Sequence, residues 1–304
     1  MGIDLRGRAE AGTMGTKRMS MKMRAFFALI VVCAGLLLPL GLLAFAGSPA
    51  DGEGRAHVRT SAAPVYLPLA LRRHCVMHRH GDWIIDGHES LDGCTVTLEG
   101  NLLIRPGSAF TMTDSVLLLG DSEHGLYRIA AEPGSSLVVS GSSIGPQDPG
   151  GHLAFVVEGA HFELRQSSLE GLSDLAGQPY RGGLSLKRVA GAILDGNTIT
   201  HDQWFGVWLS DCSETTITNN TFDNTGPGGQ SGAIYLERSH GNTITHNRLW
   251  HEWDALHLFS SWHNTIAHNQ LTLTDHTIGI SLWYASGNNT IAYNDISADE
   301  GAFA

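Results

Sequence analysis

Asp254 and His257 stand three residues apart, with Glu237 upstream of both. A carboxylate beside an imidazole, with a second carboxylate in reach, is a residue set for general acid–base chemistry. Around one bound sugar, such a set could abstract a proton next to a uronate or hydrolyse a glycosidic bond with paired carboxylates. Interleaved with these residues are Trp208, Tyr235, Phe259 and Trp283. A sugar ring has an apolar C–H face and peripheral hydroxyls, so aromatic faces beside polar groups match it in both respects. The alternative for the aromatics is packing, as covers over the fold beneath a loop. His246 and His268 form a third set, because they occupy the same position in two consecutive repeats and would stack. They could share a transition metal such as copper, although two imidazoles make a weak site and no Cys-x-x-Cys or methionine run accompanies them. The alternative is a tolerant turn position. No motif assigns a cofactor.

These residues depend on a repeat for their positions. Asn197, Asn220, Asn247, Asn269 and Asn294 recur at intervals of 23, 27, 22 and 25 residues. Three residues before each lies Leu194, Ile217, Ile244, Ile266 or Ile291, and two after each lies Ile199, Phe222, Leu249, Leu271 or Ile296. About twelve residues before each asparagine runs a small-apolar-x-apolar strand: GLSL, GVWL, AIYL, ALHL, GISL. Both segments alternate with period two, and β-branched Thr-Ile-Thr triplets crowd them, so helical repeats are excluded. Strand, turn, strand and asparagine turn in a unit of this length make one rung of a parallel β-helix. Stacked asparagines would bond amide to amide up the axis. With the flanking apolar residues inward, the strand centres point out as two columns. One column is Ser185, Trp208, Tyr235, His257 and Ser281, and the other Lys187, Ser210, Glu237, Phe259 and Trp283. Lys187 is the one base placed on this face, a thin supply for neutralising a uronate. Residues 80–190 read as earlier, looser rungs of the same solenoid.

The phrases Gly-Asn-Thr-Ile-Thr-His-Asn (241–247), His-Asn-Thr-Ile-Ala-His-Asn (263–269) and Asn-Asn-Thr-Ile-Ala-Tyr-Asn (288–294) carry a family likeness. Through them the chain resembles the right-handed parallel β-helices of the pectin-lyase-like superfamily, and most of all the NosD-type periplasmic proteins. The resemblance implies an all-β, right-handed parallel β-helix. It implies no single activity, because lyases, epimerases, hydrolases and non-enzymatic solenoids share these structural positions. No catalytic motif can be placed: Asp148-Pro-Gly-Gly-His152 lacks the His and Asp positions of the alginate epimerases' Asp-Pro-His-Asp.

Residues 25–46 form an uncharged apolar run after Lys17, Arg18, Lys22 and Arg24, which reads as an export signal or a membrane-anchor helix. Pro39, Gly41 and Ala44-Phe45-Ala46 favour cleavage after Ala46. Residues 47–72 read as a linker and 73–304 as the β-helix domain, with regular rungs over 180–300. Beyond residue 46 the chain holds 13 basic and 28 acidic residues, net −15. That balance argues against nucleic acid as a partner. Cys75, Cys94 and Cys212 follow the run; Cys75 with Cys94 could close a loop, but spacing leaves the pairing open. The expected protein is extracellular, periplasmic or on the cell surface, touching membrane only through its N-terminal segment. The leading expectation is recognition, with processing as an extension, of a polysaccharide. The alternatives are a NosD-like metal-binding accessory protein and a purely structural solenoid. The edge of the last rung needs a cover, which an oligomer could supply unless the sequence is truncated there.

Overall fold

The computed structural model describes residues 75–298 except 121–126, 174–181, 202–204 and 225–231. The expected export segment and linker lie outside the described residues, as do Trp204 and His74. The chain winds as an all-β parallel β-solenoid. Each coil lays down three short strands, and every strand pairs in parallel with its counterpart one coil away, as Thr216–Thr218 does with Thr243–Thr245. The Thr-Ile-Thr strands and their upstream equivalents stack as a nine-stranded sheet, from His88–Asp92 to Thr290–Ala292. The other two strands of each coil join in one 17-stranded sheet. Residues 80–190 continue the same winding: Leu91, Met112, Val139 and Leu164 lie in register ahead of Leu194, Ile217, Ile244 and Ile266.

That column of side chains is buried throughout, at 3% exposure or less. A second column, Ile199, Phe222, Leu249 and Leu271, is wholly buried on the neighbouring wall. Each such side chain contributes about 1.5–3 kcal/mol on leaving water, and only stacking removes it from water. On the last described coil inward positions are open: Ile291 is 41% and Leu282 43% exposed.

The turns are tied by side-chain ladders. Asn220 Oδ1 accepts the backbone N–H of Asn197 at 2.9 Å and its amide Nδ2 at 2.8 Å. Asn220 Nδ2 in turn donates to the carbonyl of Leu194 at 2.9 Å. The pattern repeats through Asn247, Asn269 and Asn294. Upstream, serines take the same place: the oxygens of Ser115, Ser142 and Ser167 accept the N–H groups of Cys94, Ser115 and Ser142 at 3.1 Å. The column is therefore unbroken from Cys94 to Asn294.

Two further ladders were not anticipated. Asn242, Asn264 and Asn289, the first asparagine of each Asn-Thr-Ile phrase, accept the N–H groups of Thr215, Asn242 and Asn264 at 2.9 Å. Ser239, Ser261 and Ser286 accept those of Cys212, Ser239 and Ser261 at 3.0–3.1 Å. Cys212 thus occupies a ladder position. It is unpaired and buried, and that burial pushes its thiol up to about 11. Cys75 and Cys94 face each other on paired strands and form a disulfide, resolving the pairing left open by their spacing.

Changing Asn247 to Ala would orphan the buried N–H of Asn220 and remove one acceptor from its amide and one donor from the Ile217 carbonyl. One such group is worth about 1–3 kcal/mol. The unfolding free energy from urea titration is expected to fall by at least about 2 kcal/mol. Asn247→Ser, which keeps an acceptor as Ser142 does, should recover part of the loss.

Candidate functional site

The middle strands Gly182–Lys187, Phe205–Ser210 and Gly232–Glu237 stack in register, followed by the second halves of Arg248–Phe259 and Gln270–Trp283. Pairing places Ser185, Trp208, Tyr235, His257 and Ser281 in one outward column. Lys187, Ser210, Glu237, Phe259 and Trp283 form the second. Both columns are as the period-two alternation requires.

Aromatic rings touch along this face. Tyr235 lies 4.8 Å from His257, ring centre to ring centre, and His257 lies 5.7 Å from Trp283. Trp208 meets Tyr235 edge-on at 4.7 Å. Phe205, which sequence reasoning missed, stacks on Tyr235 at 4.8 Å with planes 26° apart. Its ring crosses the position in register with it on the next coil, Gly232, where a Cβ would collide with that ring and with the Asp254 carbonyl. The signal for Phe205 is its register with a glycine, which emerges once the strands are paired. The face is open only in part: Trp208 is 8% exposed and forms a wall, the His257 side chain is 12% exposed, Tyr235 and Phe259 are partly buried, and Trp283 is 52% exposed. Phe259 packs at 4.6 Å against Tyr284, itself exposed.

Of the candidate acid–base residues, two come together. His257 Nδ1 lies 2.7 Å from Ser281 Oγ and 3.7 Å from Asp254 Oδ2. Both neighbours approach the same ring nitrogen, and Nε2 takes no part in either contact. Asp254 Oδ1 is buried without a hydrogen-bond partner among the described residues. Glu237 instead hydrogen-bonds to Arg238.

Arg238 also corrects the expectation that Lys187 is the one base on this face. Residues 188, 211 and 238, just past the ends of these strands, turn with positive φ (51°, 55° and 47°) and stack as Arg, Asp, Arg. Arg238 grips Asp211 through two bonds of 2.8 and 2.9 Å, holding that carboxyl below its ordinary value. Arg188 hydrogen-bonds to Glu158, and Lys187 Nζ lies 3.7 Å from Glu158 Oε1. A pocket of about 220 Å³ opens among Ser185, Lys187, Trp208, Ser210, Glu237 and Arg238.

His246 and His268 lie on a different side, just before the ladder asparagines, with φ of 57° and 58°. Their rings stack face to face, 5.2 Å apart and 14° from parallel, and Tyr293 continues the stack at 5.1 Å. Among the described residues no three His, Cys, Asp or Glu side chains group to hold a metal ion.

A family model described as "Periplasmic copper-binding protein (NosD)" matches residues 138–301, more than half of the chain. No curated protein matches. A solved structure titled as that of the periplasmic alginate epimerase AlgG is 14% identical, with 70% of this chain and 73% of that chain covered and a TM-score of 0.27.

Because the folded value of Asp211 is depressed, its pairing stabilises the fold above the ordinary value of 3.8. The contribution is lost as pH falls through the lower, folded value. Asp211→Asn is expected to melt below wild type near neutral pH, with the gap closing in acid, as a thermal melt series across pH would read.

Proposed function

The chain belongs to the NosD family, described as periplasmic copper-binding proteins, and we propose that this exported, periplasmic β-helix protein binds a polysaccharide along the outer face of its middle strands. The observation that carries the reading is the run of touching aromatic rings, Tyr235, His257 and Trp283, one strand spacing apart and ending in an exposed tryptophan. Aromatic rings set side by side on a partly open β face offer successive edges and faces for sugar rings. Phe259 and Trp208 flank the run, and Asp254 and His257 supply hydroxyl partners. The same pair would be the acid–base centre if the bound glycan is also processed, with Nε2 of His257 accepting the proton.

Glycan-array binding by the purified protein tests this. Selective binding is expected, and Trp283→Ala should weaken it at least tenfold, about 1.4 kcal/mol, while leaving the fold intact by circular dichroism. Binding unchanged in that variant would overturn the reading.

The family's description favours a second reading, metal binding through His246 and His268. Parallel rings offer at most two nitrogens, short of the three or four ligands that hold a copper ion in a protein site, so the described residues do not fit a resident copper centre. Thermal melts with and without copper(II) separate the two readings. The glycan reading expects no copper-dependent stabilisation that vanishes on His246→Ala/His268→Ala; a stabilisation that does vanish assigns the metal site.

A further inference from the structure

The pocket between Lys187 and Glu237 exists because the column carries a small residue there. Lys187, Ser210 and Glu237 are consecutive in register, so serine leaves a notch between two long side chains whose strands lie about 9.5 Å apart, two strand spacings. Ser185 next to Trp208 deepens it, and the buried indole forms its side wall. At about 220 Å³ the notch is smaller than the roughly 300–1,000 Å³ of sites for drug-sized ligands. It has room for one ring of a chain that runs on over Tyr235 and Trp283.

Its electrostatics select among sugars. Lys187, Arg188 and Arg238 bring three positive charges, and Glu158, Asp211 and Glu237 three negative ones. All six are engaged with one another. A uronate or sulfated sugar could reach the N–H groups of Arg238 or Lys187 only next to Glu158, Asp211 and Glu237, so each new attraction is offset by repulsion from a carboxylate already in place. A neutral hydroxyl donates and accepts at once, so vicinal hydroxyls can bond Glu237 and the cations without breaking any pair. The indole wall meets the ring's C–H face.

We infer that the notch walled by Trp208 and flanked by Lys187, Glu237 and Arg238 is a subsite for a single neutral hexose unit, and that it discriminates against uronic acids. This rests on the proposed polysaccharide binding and specifies its substrate class.

The test is a titration of the purified protein with methyl hexosides of glucose, galactose and mannose, and with the matching methyl hexuronides, followed by saturation-transfer NMR. At least one hexoside is expected to bind, with its hexuronide at least tenfold weaker. Ser210→Leu fills the notch and should abolish hexoside binding. Glu237→Gln keeps the shape, removes the acceptor charge and loosens Arg238, so it should weaken the hexoside and strengthen the hexuronide. Hexuronides binding as well as hexosides, or hexoside binding unchanged in both variants, overturns the inference. If the glycan array shows Trp283-dependent binding but no hexoside binds, the inference falls and the proposed function stands. Absence of binding to every glycan sinks both.

Discussion

In each turn that leads out of a Thr-Ile-Thr strand, a backbone N–H is buried and pointed along the solenoid axis, and the oxygen of a side chain one coil further on accepts it. That bond is the constraint on which the structure depends. A coil's main chain satisfies its strands by pairing, but at the corner the chain changes direction and the strand ladder lapses. A buried N–H left there would destabilise by the full desolvation of the group. Asparagine at 197, 220, 247, 269 and 294 meets the need twice over, because its amide nitrogen also caps a carbonyl from the preceding coil. With the corners locked, the inward isoleucines and leucines stack in register, and the outward residues are delivered to fixed columns.

This explains which parts of the molecule were legible from sequence. The five asparagines and their flanking apolar residues could be read because one physical demand recurs at nearly constant spacing. The outer columns followed from the same register, since the alternation of a strand leaves no freedom once one face is assigned. The upstream ladder was hidden because serine meets the same demand with a hydroxyl, and Ser115, Ser142 and Ser167 do not stand out among many serines. The Asn242, Asn264 and Asn289 ladder sat inside phrases that were read for their other asparagine. The charged column was invisible for another reason: Arg188, Asp211, Arg238, Ser260 and Tyr284 share one left-handed turn position without a repeated residue type, and the charged contacts run across coils. Phe205 depended on a glycine 27 residues away in the chain and one strand away in space.

The outer face combines two kinds of surface that the fold sets side by side. Toward the last coils it is aromatic and increasingly open, from Tyr235 to Trp283. Toward the earlier coils it is a lattice of mutually satisfied ions around a notch. Solvent-facing ion pairs add little to stability singly. Strung across four coils, their value lies in geometry: they hold long side chains upright beside Trp208 and keep a strongly acidic protein locally neutral where a ligand would rest.

A disulfide joins Cys75 to Cys94 and staples two neighbouring coils. Coils stacked by nearest-neighbour contacts can otherwise part wherever those contacts loosen. The covalent tie removes that freedom at this one junction, and the serine ladder starts there, at the N–H of Cys94. The bond acts as a rivet: these two coils keep their alignment even when the contacts between them weaken, whereas the strands that carry the outer face keep theirs by contact alone.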